Sequence, residues 1–323
     1  MEKPPVLEVC DLSVWYPVRS GIWGRVKNHV QAVRHLDLQI AAGEIVAVVG
    51  ESGCGKTTLA QALLGLRPWQ TGTLTLQGQE LSTTASSTWR QIRKQVQMVF
   101  QDPFSSLNPR QTVSEILIGP QRVQGVSASK ALQNAEQALT EVGLSPADLD
   151  KYPHAFSGGQ RQRIGIARVL ALQSRVIVCD EPTSALDVSV QAQILQLLQD
   201  LRARLGISIL LISHDLSVVR ALADRVLVMY LGSVVESLPA SELLQRSRHP
   251  YTRALLASVP SLELGKPPQI LRGEIPSLVN LPHGCVFAGR CPKSRPECSL
   301  SEIPLREIAT KQFVRCPWSE EIA

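Results

Sequence analysis

The stretch "EIVAVVGESGCGKTT", Glu44 to Thr58, decides how the rest of the chain is read. It opens as a continuous apolar run of strand length. At Gly50 it turns into a glycine-rich loop that fits G-x-x-x-x-G-K-S/T through Gly50, Gly55, Lys56 and Thr57. "TLAQALLGL" follows with helical patterning, so the loop lies between a strand and a helix, as a phosphate cradle requires. The glycines, Gly53 among them, let the backbone close on phosphate oxygens, and Ser52 and Thr58 stand in the same loop. The Lys56 ammonium would reach the terminal phosphates, and the Thr57 hydroxyl would ligate Mg2+.

Working outward, apolar runs followed by helical patterning recur at "SRVIVCD" with "VQAQILQLLQDLRARL" and at "ISILLIS" with "LSVVRALAD". That alternation predicts an α/β fold around a mainly parallel sheet buried on both faces. Residues from about 102 to 172 read as an inserted helical subdomain, with "FSGGQRQRIGIARVLAL" as its exit. The first forty or so residues and "TGTLTLQGQEL" alternate apolar and polar, which predicts an antiparallel β subdomain on one edge. Residues 1–235 thus form one nucleotide-binding unit. Residues 236–323, helical at "HPYTRALLASVP" and then Pro- and Gly-punctuated in "GKPPQILRGEIPSLVNLPHG", read as a C-terminal extension.

The composition narrows the function classes. With 323 residues, 44% of them hydrophobic, the chain can bury a full core without disulfides. Its net charge of +5 suits an anionic partner, but only 4% of residues are aromatic and the cations are scattered, so no nucleic-acid surface is indicated. "MEKPPVLEVCD" has no apolar core of a signal peptide, and the longest apolar runs are too short to cross a bilayer. The expectation is a cytoplasmic chain that reaches a membrane only through a partner. Seven cysteines there argue for buried thiols or a metal site rather than disulfides.

Three further cues belong with the phosphate loop. In "VIVCDEPTSALD", Asp180 and Glu181 follow an apolar strand, and ligands of parallel sheets sit beyond the carboxyl ends of strands. Alone, such a pair is more often a solvated turn. Beside a phosphate loop, Asp180 would hold Mg2+ and Glu181 would act as general base toward water. Gln101 and His214 end two more strands on the same edge, where Gln101 would sense Mg2+ or the attacking water and His214 would bond a phosphate or Glu181. Finally, "FSGGQRQR", Phe156 to Arg163, runs a Ser-Gly-Gly turn into a helix and so offers a second anion cradle.

Taken together, these residues resemble the ATP-binding subunits of ABC transporters, over about Leu7 to Glu236. The resemblance implies a P-loop NTPase fold of the ABC type. It makes Gln101 the Q-loop, Ser157, Gly158, Gly159 and Gln160 the signature, Asp180 and Glu181 Walker B, Asp187 the D-loop aspartate and His214 the switch histidine. Tyr16 becomes the aromatic that stacks on adenine, with Trp15 the neighbour open to confusion with it. It also explains the two cradles, because two subunits of this family meet head to tail and each signature loop closes on the nucleotide held by its partner.

"QDPFSSLNPR", "PHAFSGGQRQRIGIAR", "VMYLG" and "HPYTRALLASVP" are similar to the oligopeptide, dipeptide and nickel importer branch. The implied partners are a second ATPase subunit, usually a different chain, two transmembrane permease subunits and, indirectly, a solute-binding protein, with no nucleic acid. The implied location is the cytoplasmic face of the bacterial inner membrane. The implied work is ATP-driven import of peptides. A nickel or metal chelate remains the alternative solute, and a soluble ABC ATPase acting on nucleic acid or ribosomes the alternative class.

Cys285, Cys291, Cys298 and Cys316 lie in the extension at spacings unlike the paired C-x2-C of common zinc modules. Four thiolates could hold a four-iron iron–sulfur cluster, as the branch resemblance suggests, or zinc, or they could be free thiols. Cys179 reads as a small buried hydrophobe, and Cys54, inside the phosphate loop, as a thiol open to alkylation.

Overall fold

The first two strands, β1 (Pro5–Ser20) and β2 (Arg25–Ala41), alternate apolar and polar side chains and pair antiparallel. They appear in a computed structural model that describes residues 4–20, 25–81, 86–102, 104–258, 273–279 and 281–321. Part of the punctuated stretch in the extension, residues 265–272 and 280, lies outside the described residues.

The fully buried β3 (Ile45–Val49) leads through the phosphate loop to α1 (Lys56–Leu63), then β4 (Thr71–Leu76), β5 (Gln79–Leu81), α2 (Ser86–Gln95) and β6 (Val96–Val99). Three helices follow: α3 (Val113–Val123), α4 (Ala128–Glu141) and α5 (Gly158–Ala171). The chain then alternates through β7 (Val176–Asp180), α6 (Val188–Leu205), β8 (Ser208–Ile212), α7 (Leu216–Leu222) and β9 (Arg225–Tyr230). It continues with β10 (Ser233–Pro239), α8 (Leu243–Arg246), α9 (Pro250–Ala257), β11 (Arg306–Ala309) and β12 (Gln312–Val314).

Two sheets result. One is antiparallel, in the order β2-β1-β4-β5. The other has eight strands in the order β11-β12-β10-β9-β3-β8-β7-β6, parallel from β9 to β6. The α/β class, its antiparallel subdomain and its helical insertion are therefore as the sequence leads one to expect.

Burial shows why the central strands read as unbroken apolar runs. Ile45, Ala47 and Val49 face a core built with α3 to α7, whereas Val46 and Val48 face a second core with α1 and the antiparallel sheet. Both faces are covered, so every position is apolar. Each valine or isoleucine among them contributes about 1.5–3 kcal/mol on full burial.

The parallel register brings the strand ends into line. Asp180 pairs with Ile212, Val48 with Ile212, and Val99 with Cys179, so the loops after β3, β6, β7 and β8 leave from one edge. The extension joins the same framework. β12 adds to β10, and Tyr230 packs with Tyr251 and Phe287 at ring-centroid distances of 4.6 and 5.3 Å. Glu236, fully buried on β10, accepts from the N–H groups of Arg248 and His249 at 2.6 and 3.1 Å.

Candidate active site

Beyond the β3 end, the glycines of the loop are demanded by space and by backbone. Gly50 has φ of 152°, and a Cβ there would lie 2.2 Å from the Met229 carbonyl oxygen. Gly55, left-handed at φ 110°, would meet the Ala32 carbonyl at 2.1 Å. Lys56 is buried, and its Nζ donates to the carbonyls of Gly50 and Glu51 at 2.7 and 3.0 Å. The loop is thus wrapped around the ammonium that a phosphate would meet.

A cleft of about 550 Å³ opens over this loop. It is lined by Ser52, Gly53, Gly55, Lys56, Thr57 and Thr58 of the loop together with Gln101, Asp180, Glu181 and His214 from the neighbouring strand ends. Glu181 is held at both carboxylate oxygens. Gln101 Nε2 donates to Oε2 at 2.8 Å, and His214 Nδ1 lies 2.9 Å from Oε1. Its backbone is left-handed, φ 47°, anchored by its N–H on the Ile212 carbonyl at 2.9 Å. A non-glycine residue in that region costs of order 1–3 kcal/mol, a strain that persists where the surroundings impose it. Asp180 is pushed above the usual carboxylate range, first by burial and then by Glu181, while Lys56 and a hydrogen bond with Thr57 oppose the shift.

The far end of the cleft is aromatic. Tyr16 lines it, with its hydroxyl 3.3 Å from Thr58 Oγ1 and the Arg67 guanidinium 5.1 Å from its ring centre. Trp15 instead turns toward His29, its ring centre 6.1 Å away, and does not line the cleft. Of these two aromatics, Tyr16 is the one that lines the cleft. Val30, Ala32 and Leu278 also line the cleft.

Ser157, Gly158, Gly159, Gln160 and Asp187 do not line this cleft. Ser157 and Gln160 form a reciprocal cap on α5, at 3.0 and 3.3 Å. Asp187 caps α6 by accepting from the Val190 N–H at 3.0 Å. Gly159 is set by packing, since a Cβ there would lie 2.4 Å from Val190 Cγ1. One side chain that pattern reading passes over links this region to the cleft: buried Gln162 donates to the Pro182 carbonyl at 2.8 Å, just past Glu181.

The four cysteines of the extension line one cavity of about 20 Å³, together with Phe287 and Trp318. That space suits about one water. Burial raises the Cys285 thiol to about 11 and raises those of Cys291 and Cys316. Among the described residues no group of three or more His, Cys, Asp or Glu is arranged to hold a metal ion. The expected iron–sulfur or zinc site is therefore unsupported, and none of the four cysteines forms a disulfide. Cys54 also departs from expectation. Its side chain is buried, its thiol is raised by desolvation, and it points back at Lys56 rather than outward. Cys179 is fully buried in β7, as its apolar surroundings suggest.

Residues 33–184 match the model of the ABC transporter family, and residues 235–298 match the oligopeptide/dipeptide transporter C-terminal region. The chain is 45% identical to the oligopeptide transport ATP-binding protein OppF of Escherichia coli K12, over 96% of this chain and 95% of that one. It is 44% identical to a putative peptide import ATP-binding protein of Brucella ovis, over 98% of each. Among solved structures, cbiO1 of Clostridium perfringens, part of the cbiONQ ABC transporter complex, superposes with a TM-score of 0.64 at 27% identity. It covers 74% of this chain and 90% of its own. The ATP-binding cassette MJ0796 bound to ADP and Pi gives 0.62 at 26% identity, over 72% and 98%. With the phosphate loop, the paired acids and the aromatic wall on one cleft, the chain belongs to the ATP-binding proteins of ABC transporters, in the branch that carries the oligopeptide/dipeptide transporter C-terminal region.

Proposed function

We propose that this chain hydrolyses ATP to drive peptide import through a membrane permease. The observation that carries the reading is the Glu181 carboxylate held between Gln101 and His214 in the same cleft as Lys56. Tyr16 stacks on the adenine, and Gly50, Ser52, Gly53, Gly55 and Thr58 cradle the phosphates. Lys56 neutralises the terminal phosphates, and Thr57, Asp180 and Gln101 hold Mg2+, which supplies charge stabilisation when bound.

Glu181 accepts a proton from water as its oxygen bonds to the γ-phosphorus. The bond from that phosphorus to the bridging oxygen breaks, leaving ADP and inorganic phosphate. Ser157, Gly158, Gly159 and Gln160, with Asp187 beside them, complete the site of a second ATPase subunit, so ATP joins the two and hydrolysis releases them. Residues 1–235 act as the nucleotide unit, with residues 102–172 facing the permease, and residues 236–323 act as the extension.

No helix among the described residues is long and apolar enough to cross a membrane. The proposed assembly is two ATPase subunits of different sequence on the cytoplasmic face of the inner membrane, beneath two permease subunits served by a peptide-binding protein. Likeness to oligopeptide transport ATP-binding proteins over nearly the whole chain favours peptide over metal chelate. Purification of the tagged chain from detergent-solubilised membranes, with mass spectrometry of its companions, tests this. Two polytopic permeases and a second ATPase are expected, whereas recovery with ribosomal proteins in the soluble fraction would overturn the transport reading.

A further inference from the structure

The extension meets the nucleotide cleft at Leu278 and the phosphate loop at Glu51. Leu278 lines the cleft, and its carbonyl accepts from the Gln31 N–H at 3.2 Å. Arg290 forks onto Glu51, Nη1 to Oε2 at 2.7 Å and Nη2 to Oε1 at 3.0 Å. Glu51 occupies one of the variable positions of the phosphate loop, so the motif itself does not ask for an acid there.

All of its polar groups are engaged. The N–H donates to the Tyr251 hydroxyl at 2.8 Å, and the carbonyl accepts from Lys56 Nζ at 3.0 Å. Two of these partners come from the extension and one is the lysine of the phosphate loop, whose Cys54 N–H also donates to the Glu51 carbonyl at 3.3 Å. Arg290 is itself constrained, with a side chain only 5% exposed and Nη1 3.3 Å from the Tyr230 hydroxyl. A bidentate guanidinium–carboxylate pair fixes direction as well as charge, and burial spares it the screening that empties surface pairs of effect.

We propose that Arg290 is a positioning residue for nucleotide binding: through Glu51 it sets the phosphate loop and Lys56, so the extension governs the affinity of the chain for ATP. This rests on the ATPase reading above. A merely structural contact would lower the melting temperature and leave the affinity of the folded protein unchanged.

The test is equilibrium binding of a fluorescent ATP analogue to the full chain, well below the melting temperature, for wild type, R290Q, R290K, E51Q and the double variant R290Q/E51Q. Each glutamine variant is expected to weaken binding about tenfold, with no further loss in the double, because the two residues act as one unit. R290K keeps the charge and loses the fork, and is expected to weaken binding about threefold. Wild-type affinity in folded R290Q, or single losses that add in full, would overturn the proposal. If R290Q fails to fold, wild-type affinity in R290K does so instead. A wild-type chain that does not bind the analogue would overturn the ATPase reading itself.

Discussion

His214 Nδ1 lies 2.9 Å from Glu181 Oε1, while Gln101 holds the other carboxylate oxygen, so residues from two strand ends fix a carboxylate at a third. The left-handed backbone at Glu181 turns that carboxylate off the strand direction and into the cleft. His214→Ala should therefore lower kcat about 100-fold with little change in ATP affinity, the size expected when a reacting group loses its alignment. Steady-state kinetics beside equilibrium ATP binding check the split, and equal losses in both would contradict it.

Tyr16 and Trp15 give a second contrast. Tyr16→Ala should weaken ATP binding about tenfold, in keeping with the ~1–3 kcal/mol of a base on an aromatic ring. Trp15→Ala should leave the affinity of the folded protein within about twofold, because its ring turns toward His29. Binding titrations of the two variants separate the assignments.

Gly159→Ala should destabilise the protein by about 1–3 kcal/mol, since the new methyl would press on Val190. Shortening the neighbour should restore most of the loss, so denaturant melts of Gly159→Ala alone and with Val190→Ala are the measurement. Full additivity of the two changes would sink the packing explanation.

His249 caps α9 by accepting the Tyr251 N–H on Nδ1, and burial holds its imidazole down to about 3. The unfolded chain therefore binds a proton that the folded one refuses between about pH 6.5 and pH 3. This contribution to stability is complete above about pH 6.5 and declines as the pH falls through that window. His249→Asn, which can still accept at the cap, should flatten the slope. An unchanged slope would contradict it.

The sequence displayed the catalytic edge plainly, for a physical reason. Gly50, Gly55, Lys56, Asp180, Glu181 and His214 sit at strand ends or in a loop whose local geometry dictates residue type, so a short window carries each signal. Which of Tyr16 and Trp15 lines the cleft needed structure, because neighbouring side chains on a strand take opposite faces and both candidates are aromatic. Arg290 and Glu51 are 239 positions apart, and nothing local to either marks the other. Cys54 misled because loop position suggested exposure, whereas the chain folds its thiol back under Lys56. The four cysteines share a cavity, as their clustering suggests, but sharing a cavity does not make them metal ligands.

ATP binding and ATP turnover by Glu181→Gln, side by side with wild type, test the role of this carboxylate in hydrolysis. The variant is expected to bind ATP at least as tightly as wild type, to turn it over at least about 100-fold more slowly, and to accumulate as a nucleotide-bound dimer. Turnover near the wild-type rate would contradict the assignment of Glu181 as the base on which the mechanism rests.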